Sequence, residues 1–182
     1  MSKVLVPLAE GFEELEAVTI IDLLRRAGIE VTVAGLQDGP VRGSRGTVIV
    51  PDDSLDMSMG GDYDMIVLPG GLPGADHLNE DPRIDSLLRQ LHANDRYTAA
   101  ICAAPKVLAS AGLLQGRTVT AYPGVLDNAD IDDMVYDGGA VVQDGRVITS
   151  RGPGTAMDFS LSLIALLEGD ARRDEVEQGL VR

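Results

Sequence analysis

The stretch TAAICAAPKVLASAGLL, residues 98–114, joins a β-like run to a helix-like run and contains the only cysteine of the chain, Cys102. The residues around Cys102 are small, which a sharp turn from strand to helix requires, and Pro105 suits a first helical turn. The pattern predicts a nucleophile elbow with Cys102 at its tip. A helix N-terminus would favour the thiolate, so we expect a low thiol pKa. The alternative is a buried, inert cysteine, since free cysteine is among the most buried residue types.

Outward from this junction, short apolar runs alternate with helical patterns. The runs predict strands at 3–8, 29–36, 46–50, 63–68, 97–102 and 118–122, and a hairpin at 140–150 turning at Asp144-Gly145. Helices are predicted from about residue 13 to Gly28, from 82 to 93, from 105 to Gly112, and from 155 to 168. In the first helix, Leu15, Val18 and Leu24 recur at helical spacing. This alternation predicts an α/β fold, a mostly parallel sheet with helices on both faces, in a single domain over residues 1–182.

The composition and net charge of the chain argue against several classes of function. The chain has 182 residues and a formal net charge of -14, so phosphate backbones would repel it and we expect no nucleic-acid partner. No apolar run approaches the ~18 residues of a spanning helix, and the start MSKVLVPL does not resemble a signal peptide. One cysteine cannot form an intramolecular disulfide, and with two scattered histidines it does not make a metal site. We expect a cytoplasmic protein without membrane contact, metal or cofactor.

Three junctions fall at predicted strand carboxyl ends, where ligands bind in parallel sheets. They are AEGFEE (9–14), PGG (69–71) and CAAP (102–105). Their convergence would make one site. Acids at a helix start are favoured by the dipole alone, and PGG is often only a turn. Glu14 and Glu16 lie two residues apart and cannot share a helix face.

Four segments make the pattern specific when taken together: GFEELEAVTIIDLLRRAGIEVTVAG, DYDMIVLPGG, AAICAAP and ITSRGPGT. In this order and at these separations, the chain resembles the ThiJ/PfpI superfamily. Within it, the chain is similar to the branch of the Parkinsonism-associated protein deglycase and the bacterial YajL chaperone. The resemblance spans nearly the whole chain and implies a flavodoxin-like three-layer sandwich that forms a homodimer.

The resemblance also implies roles for individual residues. The family nucleophile matches Cys102, and the glutamate that hydrogen-bonds it matches Glu16. The family oxyanion donors match the backbone N–H groups of Gly71 and Ala103. Further pocket positions match Glu13, Arg45, Gly70 and Tyr122, with Arg45 near the partner subunit.

Tyr122 differs from the family pattern, because many family members have a histidine at the corresponding position. The two histidines of the chain are His77, in a predicted loop, and His92, near a helix end. A Cys-His dyad is therefore not expected, which argues against a peptidase. RGPGT lacks the lysine and serine placement of a phosphate loop and is interpreted as a tight turn into the last helix.

The implied function is a cysteine-dependent, glutathione-independent glyoxalase or protein deglycase, linked to oxidative stress. Its substrate would be a small aldehyde such as methylglyoxal, or an early glycation adduct. Glu16 would move protons on the hemithioacetal and would hold a proton itself when Cys102 is charged. The alternative is a non-enzymatic redox sensor or chaperone that uses oxidation of Cys102.

Overall fold

The computed structural model describes residues Met1–Arg182 and contains eleven strands and seven α-helices. In chain order they are β1 (Lys3–Leu8), α1 (Glu14–Arg26), β2 (Glu30–Gly35), β3 (Val41–Arg42), β4 (Val48–Ile49), β5 (Asp53–Ser54), α2 (Leu55–Ser58), β6 (Met65–Leu68), α3 (Gly74–Glu80), α4 (Pro82–Ala93), β7 (Tyr97–Ile101), α5 (Pro105–Ser110), β8 (Thr118–Val119), β9 (Val135–Tyr136), β10 (Val141–Asp144), β11 (Val147–Ser150), α6 (Ala156–Glu168) and α7 (Asp170–Gly179). No helix is long and apolar enough to cross a membrane.

Seven strands form the central sheet in the order β10-β11-β7-β6-β1-β2-β5. Every neighbouring pair is parallel except the β10–β11 hairpin. The chain moves outward from β1 to β2 and then returns to β6 on the other side of β1. The strand order therefore reverses between β1 and β6, and open α/β sheets bind ligands beyond the carboxyl ends of strands at such a point.

Helices cover both faces of the sheet because its strands are apolar on both sides. On one face, Val4 and Val6 of β1 pack in a cluster with α1, α6 and Val176 of α7. On the other face, Leu5 of the same strand packs in a second cluster with α3, α4 and α5. The predicted three-layer sandwich, with a mostly parallel sheet and helices on both sides, is confirmed.

The first helix begins and ends as its sequence predicts, but its buried face is different. The Glu13 side chain caps the helix by accepting from the Glu16 amide, and Gly28 adopts a φ of 79° just beyond the last turn. Leu15 and Val18 of the predicted apolar stripe are 53% and 47% exposed. The buried residues are Glu16, Ala17, Ile20, Leu23 and Leu24. The helix thus buries a carboxylate, which a hydrophobic pattern does not identify.

Other boundaries also differ from the predictions. The predicted strands at 46–50 and 118–122 shorten to β4 and β8, each in a separate two-stranded sheet outside the central one. The hairpin turn comprises residues 145–146, one position later than predicted, because Asp144 still pairs with Val147. Three helices were missed: α2, α3 in the predicted loop 73–81, and α7 after Gly169. Helix α2 has only four residues, and α3 and α7 are polar on much of their surface, so their hydrophobic patterns are weak.

Candidate active site

Cys102 lies where β7 ends, two residues before the cap of α5, and adopts a left-handed backbone. Its φ of 64° is uncommon for a residue with a side chain and costs about 1–2 kcal/mol. Two backbone hydrogen bonds hold it there. The Cys102 amide donates to Ser150 O (2.9 Å), and the Tyr122 amide donates to Cys102 O (2.8 Å). The side chain is 8% exposed, so the strained turn presents a nearly buried sulfur.

Glu16 brings a carboxyl group from α1 to this sulfur. The residue is fully buried, and its Oε2 accepts a hydrogen bond from the Gly70 amide at 2.8 Å. The Cys102 thiol lies beside this carboxyl group, and its interaction with Glu16 lowers the pKa of Glu16. Its other oxygen, Oε1, is buried without a nitrogen or oxygen partner. A buried carboxylate with one unsatisfied oxygen is costly, which favours a proton on this group.

Gly70 and Gly71 allow the loop after β6 to lie against this pair. A Cβ at Gly70 would be 2.7 Å from Cys102 Cβ and 2.8 Å from Glu16 Oε2, too close for any side chain. Gly71 has a φ of 93°, and a Cβ there would be 2.4 Å from the Glu13 amide nitrogen. Both glycines are required by close approach, and Gly71 by its backbone conformation as well.

The backbone N–H groups of Gly71 and Ala103 face Cys102, and both lower the pKa of its thiol. One comes from the loop after β6 and the other from the residue after the elbow. They are the two amides that the sequence resemblance implies as oxyanion donors. The structure thus brings the junctions after β1, β6 and β7 together around one sulfur atom.

Glu16 and Cys102 shift each other's proton affinity. Burial raises the pKa of Glu16 from 4.5 to about 7, and the charge of Glu13 adds to this, whereas the Gly70 amide and the Cys102 thiol oppose it. Burial also raises the pKa of Cys102 from 9.0 to about 12. The charge and hydrogen bonding of Glu16 contribute further to the rise, and the amides of Ala103 and Gly71 oppose it.

The expected low thiol pKa is therefore not found while Glu16 is ionised. The sequence pattern of an elbow beside a helix N-terminus indicates which amides can stabilise a thiolate. It does not indicate how deeply the thiol is buried, and burial disfavours the thiolate. If the proton moved from the Cys102 thiol to Glu16, the charge and the hydrogen bonding of Glu16 would no longer raise the pKa of the thiol. Between the two pKa values the pair holds one proton, and Cys102 is a thiolate in the form that carries this proton on Glu16.

Glu14 organises a neighbouring loop, a role that the sequence analysis did not assign. Its Oε1 accepts from the amides of Arg45 (2.6 Å) and Thr47 (3.2 Å), and its Oε2 accepts from Ser44 Oγ at 3.2 Å. A Cβ at Gly43 would overlap its carboxyl group at 2.5 Å. The E-E-x-E spacing, which sends Glu14 and Glu16 to different faces, is the signal that could have identified it. Arg45 is exposed and held through its backbone amide, and its guanidinium forms no ion pair.

The remaining candidates lie at the rim. Tyr122 is bonded to Cys102 through its backbone, but its side chain is 51% exposed and packs beside Gly152. His77 lies on α3, where its Nδ1 is 3.0 Å from Glu10 O. His92 is half-buried on α4, and its Nδ1 has no partner. Neither histidine contacts Cys102, so the cysteine's titratable partner is Glu16. No group of three or more His, Cys, Asp or Glu residues is arranged to hold a metal ion.

Comparisons with known proteins match this arrangement. The sequence pattern that defines the DJ-1/PfpI family matches residues 2–166. The crystal structure of Drosophila melanogaster DJ-1beta superposes with a TM-score of 0.94 at 44% identity, covering 100% of this chain and 98% of that one. The Parkinson disease protein 7 homolog of Danio rerio is 44% identical, over 98% of this chain and 96% of its own length. The glutathione-independent glyoxalase DJR-1.2 of Caenorhabditis elegans is 38% identical, over 92% of this chain and 89% of its own length. The chain therefore belongs to the DJ-1/PfpI family.

Proposed function

We propose that the protein is a cysteine-dependent, glutathione-independent glyoxalase or protein deglycase, acting on methylglyoxal or on early glycation adducts. The observation that carries the proposal is the buried Glu16 carboxyl, whose pKa of about 7 suits proton transfer, against the Cys102 sulfur. A relative that is named a glutathione-independent glyoxalase supports the reaction class.

The proposed chemistry uses groups that meet at the sulfur. The thiolate adds to the aldehyde carbon of methylglyoxal, and the resulting oxyanion accepts hydrogen bonds from Gly71 and Ala103 and then a proton. Glu16 removes the proton from that carbon and returns it to the neighbouring one, which converts the hemithioacetal to a lactoyl thioester. Water then cleaves the thioester, releasing lactate and restoring Cys102. The sum is methylglyoxal plus water giving lactate, without net oxidation and without glutathione.

Lactate formation by purified protein without glutathione tests the proposal. Cys102→Ser is expected to abolish it, because serine keeps the geometry but its alkoxide is inaccessible near neutral pH. Glu14→Gln is the matched control, since it alters a carboxylate of the same helix turn that faces away from the sulfur. Lactate production that survives in the serine variant would exclude Cys102 as the nucleophile.

A non-enzymatic redox sensor or chaperone is the second candidate, favoured by the unpartnered Oε1 of Glu16. When protonated, this oxygen could donate to an oxygen atom placed on the sulfur, and the amides of Gly71 and Ala103 could hold another. A sulfinic acid that forms at low peroxide concentration, in a protein that makes no lactate, would favour this reading. Mass spectrometry of Cys102 after graded peroxide exposure measures it.

We also propose that the protein is a homodimer in the cytoplasm. Leu15 and Val18 of α1 are half-exposed, and Val48 and Val50 beside β4 are 48% and 75% exposed. Val18, Ile49 and Val50 line one surface groove together. Contiguous apolar surface of this kind marks interfaces more often than isolated exposed residues do. A monomeric mass in light scattering at micromolar concentration would contradict the dimer.

A further inference from the structure

The two amides that face Cys102 belong to loops that each end in a short helix. Gly71 precedes α3, which begins at Gly74, and Ala103 precedes α5, which begins at Pro105. The separation of the two amides therefore depends on how α3 and α5 sit against each other. Amide donors stabilise a developing oxyanion only when they are held at hydrogen-bonding distance from it, so this separation matters for the site.

One ion pair links the first turns of these helices. Lys106, the second residue of α5, pairs through Nζ with Asp76, the third residue of α3. The two side chains are 27% and 47% exposed, and neither has another ion-pair partner. Farther from the elbow, the contact between the helices is apolar, with Leu78 of α3 and Leu108 of α5 in the same buried cluster. The ion pair is thus the polar link between the helices at the end next to the two amides.

Apart from the Gly70 amide, which donates to Glu16, and the Gly71 amide, which faces Cys102, two backbone bonds of the loop after β6 lie on its opposite side. The Glu13 amide donates to Gly70 O at 2.9 Å, and the Gly74 amide donates to Gly11 O at 3.3 Å. Both tie the loop to the segment after β1, and neither joins it to the elbow. The charge that contributes to the raised Cys102 pKa is that of Glu16, and Lys106 is engaged with Asp76. A role for Lys106 at the site is therefore one of position.

We propose that Asp76 and Lys106 are positioning residues, which hold the Gly71 and Ala103 amides at the distance that serves Cys102 by joining the helices that follow them. They touch neither the sulfur nor a substrate at the sulfur. The pair contributes little to global stability, as is typical of ion pairs near the surface, but it sets local geometry. Only the turnover measurement described below rests on the proposed function. The reactivity of the thiol is independent of it.

The test measures the rate of Cys102 alkylation by iodoacetamide across pH, with circular dichroism to check folding. Lys106→Met and Asp76→Asn are each expected to slow alkylation about threefold at a fixed pH, because an amide donor weakens and less thiolate forms. The double variant is expected to match the single ones. Lys106→Arg, which keeps the pair, and Asp76→Lys combined with Lys106→Asp, which reverses it, are expected to restore the wild-type profile.

Arg89→Met is the matched control, because Arg89 forms an exposed ion pair with Asp85 within α4, away from the elbow. The proposal is overturned if Lys106→Met behaves like Arg89→Met. It is also overturned if Lys106→Met slows alkylation while Asp76→Asn does not, or if the reversed pair fails to restore the rate, since either result means that Lys106 acts through its own charge.

Lactate formation separates this inference from the proposed function. The variants that break the pair are expected to turn over methylglyoxal about 10-fold more slowly, a fraction of the ~10²–10³-fold loss that follows removal of an oxyanion donor. If the wild type makes no lactate, the proposed function fails, and the alkylation profiles still decide whether the ion pair positions the amides.

Discussion

Replacing Glu16 by glutamine separates the two effects of this carboxyl group on Cys102. The charged carboxylate opposes a thiolate beside it, whereas a carboxyl that can both take up and release a proton is needed for the proposed turnover. Glutamine has nearly the same shape, can still accept from the Gly70 amide, and carries no charge. We therefore expect the variant to have a more reactive thiol and a slower enzyme, a combination that loss of folding would not produce.

The size of the change follows from the site. Burial, the charge of Glu16 and its hydrogen bond together raise the pKa of Cys102 from 9.0 to about 12, with burial the largest cause. Glutamine removes the charge and leaves the burial, so the thiol pKa should fall without reaching the range of an activated cysteine. A like charge in contact typically shifts a pKa by about 1–3 units, and we expect a fall of about 1–2 units. At a fixed pH well above 7 and below the midpoint of the variant, where Glu16 is ionised in the wild type, the thiolate fraction rises about 10- to 100-fold.

Iodoacetamide labelling across pH measures this, with the modified fraction read by mass spectrometry. Wild type should titrate in two steps, near pH 7 and near pH 12, since the pair holds one proton between them. Glu16→Gln should titrate in one step, and lactate formation should fall by about 10²-fold or more, as expected when an acid–base group is lost. Glu14→Gln should leave the two-step profile in place. An alkylation midpoint in Glu16→Gln that equals or exceeds the upper wild-type step would refute the coupling.

Three further outcomes follow from the same geometry. Gly70→Ala places a methyl group 2.7 Å from Cys102 Cβ, so urea unfolding should show a loss of about 1–3 kcal/mol, whereas Gly60→Ala, which has open space around it, should show little. Burial raises the pKa of Glu14, but hydrogen bonds from its own amide and from the loop lower it to a net value below 4.5. Its contribution is therefore complete above the unfolded pKa and is lost as pH falls through the folded one. Glu14→Ala should lower the free energy of unfolding by about 1–2 kcal/mol at neutral pH and have little effect in strong acid. A difference of the same size in strong acid would contradict the role of the Glu14 carboxylate in holding the loop. Wild type should not cleave casein through Cys102, because no histidine contacts the sulfur to act as the base of a Cys-His dyad, and Tyr122→His on methylglyoxal tests whether position 122 reaches the sulfur.

Local chemistry explains why much of the site could be predicted from the sequence. The elbow follows from a strand that ends in small residues before a proline, and the close approach at Gly70 follows from a double glycine at a strand end. Parallel strands direct their carboxyl ends to one edge, so the junctions after β1, β6 and β7 had to converge once the alternation was recognised. These features depend on a few neighbouring residues, which a sequence displays directly.

Features set by long-range packing could not be predicted in the same way. The buried face of α1 is shifted from the predicted stripe, because the helix turns Glu16 inward and leaves Leu15 and Val18 half-exposed. The two strands assigned at 46–50 and 118–122 have β-like composition, but their pairing partners are β3 and β9 and not the central sheet. The proton affinity of Cys102 depends on its burial among elements distant in sequence, and no pattern near the cysteine reports it.

Burial of the Glu16–Cys102 pair accounts for both its protection and its reactivity. A thiolate beside an ionised carboxylate in this site is disfavoured by burial and by charge, so the resting thiol stays protonated and resists indiscriminate oxidation. The same burial raises the Glu16 pKa to about 7, so near neutral pH the carboxyl accepts or releases a proton at little cost. Transfer of one proton from sulfur to Glu16 creates the thiolate without adding net charge to the buried site, and the amides of Gly71 and Ala103 then stabilise it. A polar substitution that admits water beside Glu16 should lower its pKa and leave the thiol protonated. Formation of the thiolate by proton transfer to Glu16 therefore requires that Glu16 stay shielded from water. Helix α1 supplies this burial, so it determines the proton affinity of the site as well as the fold.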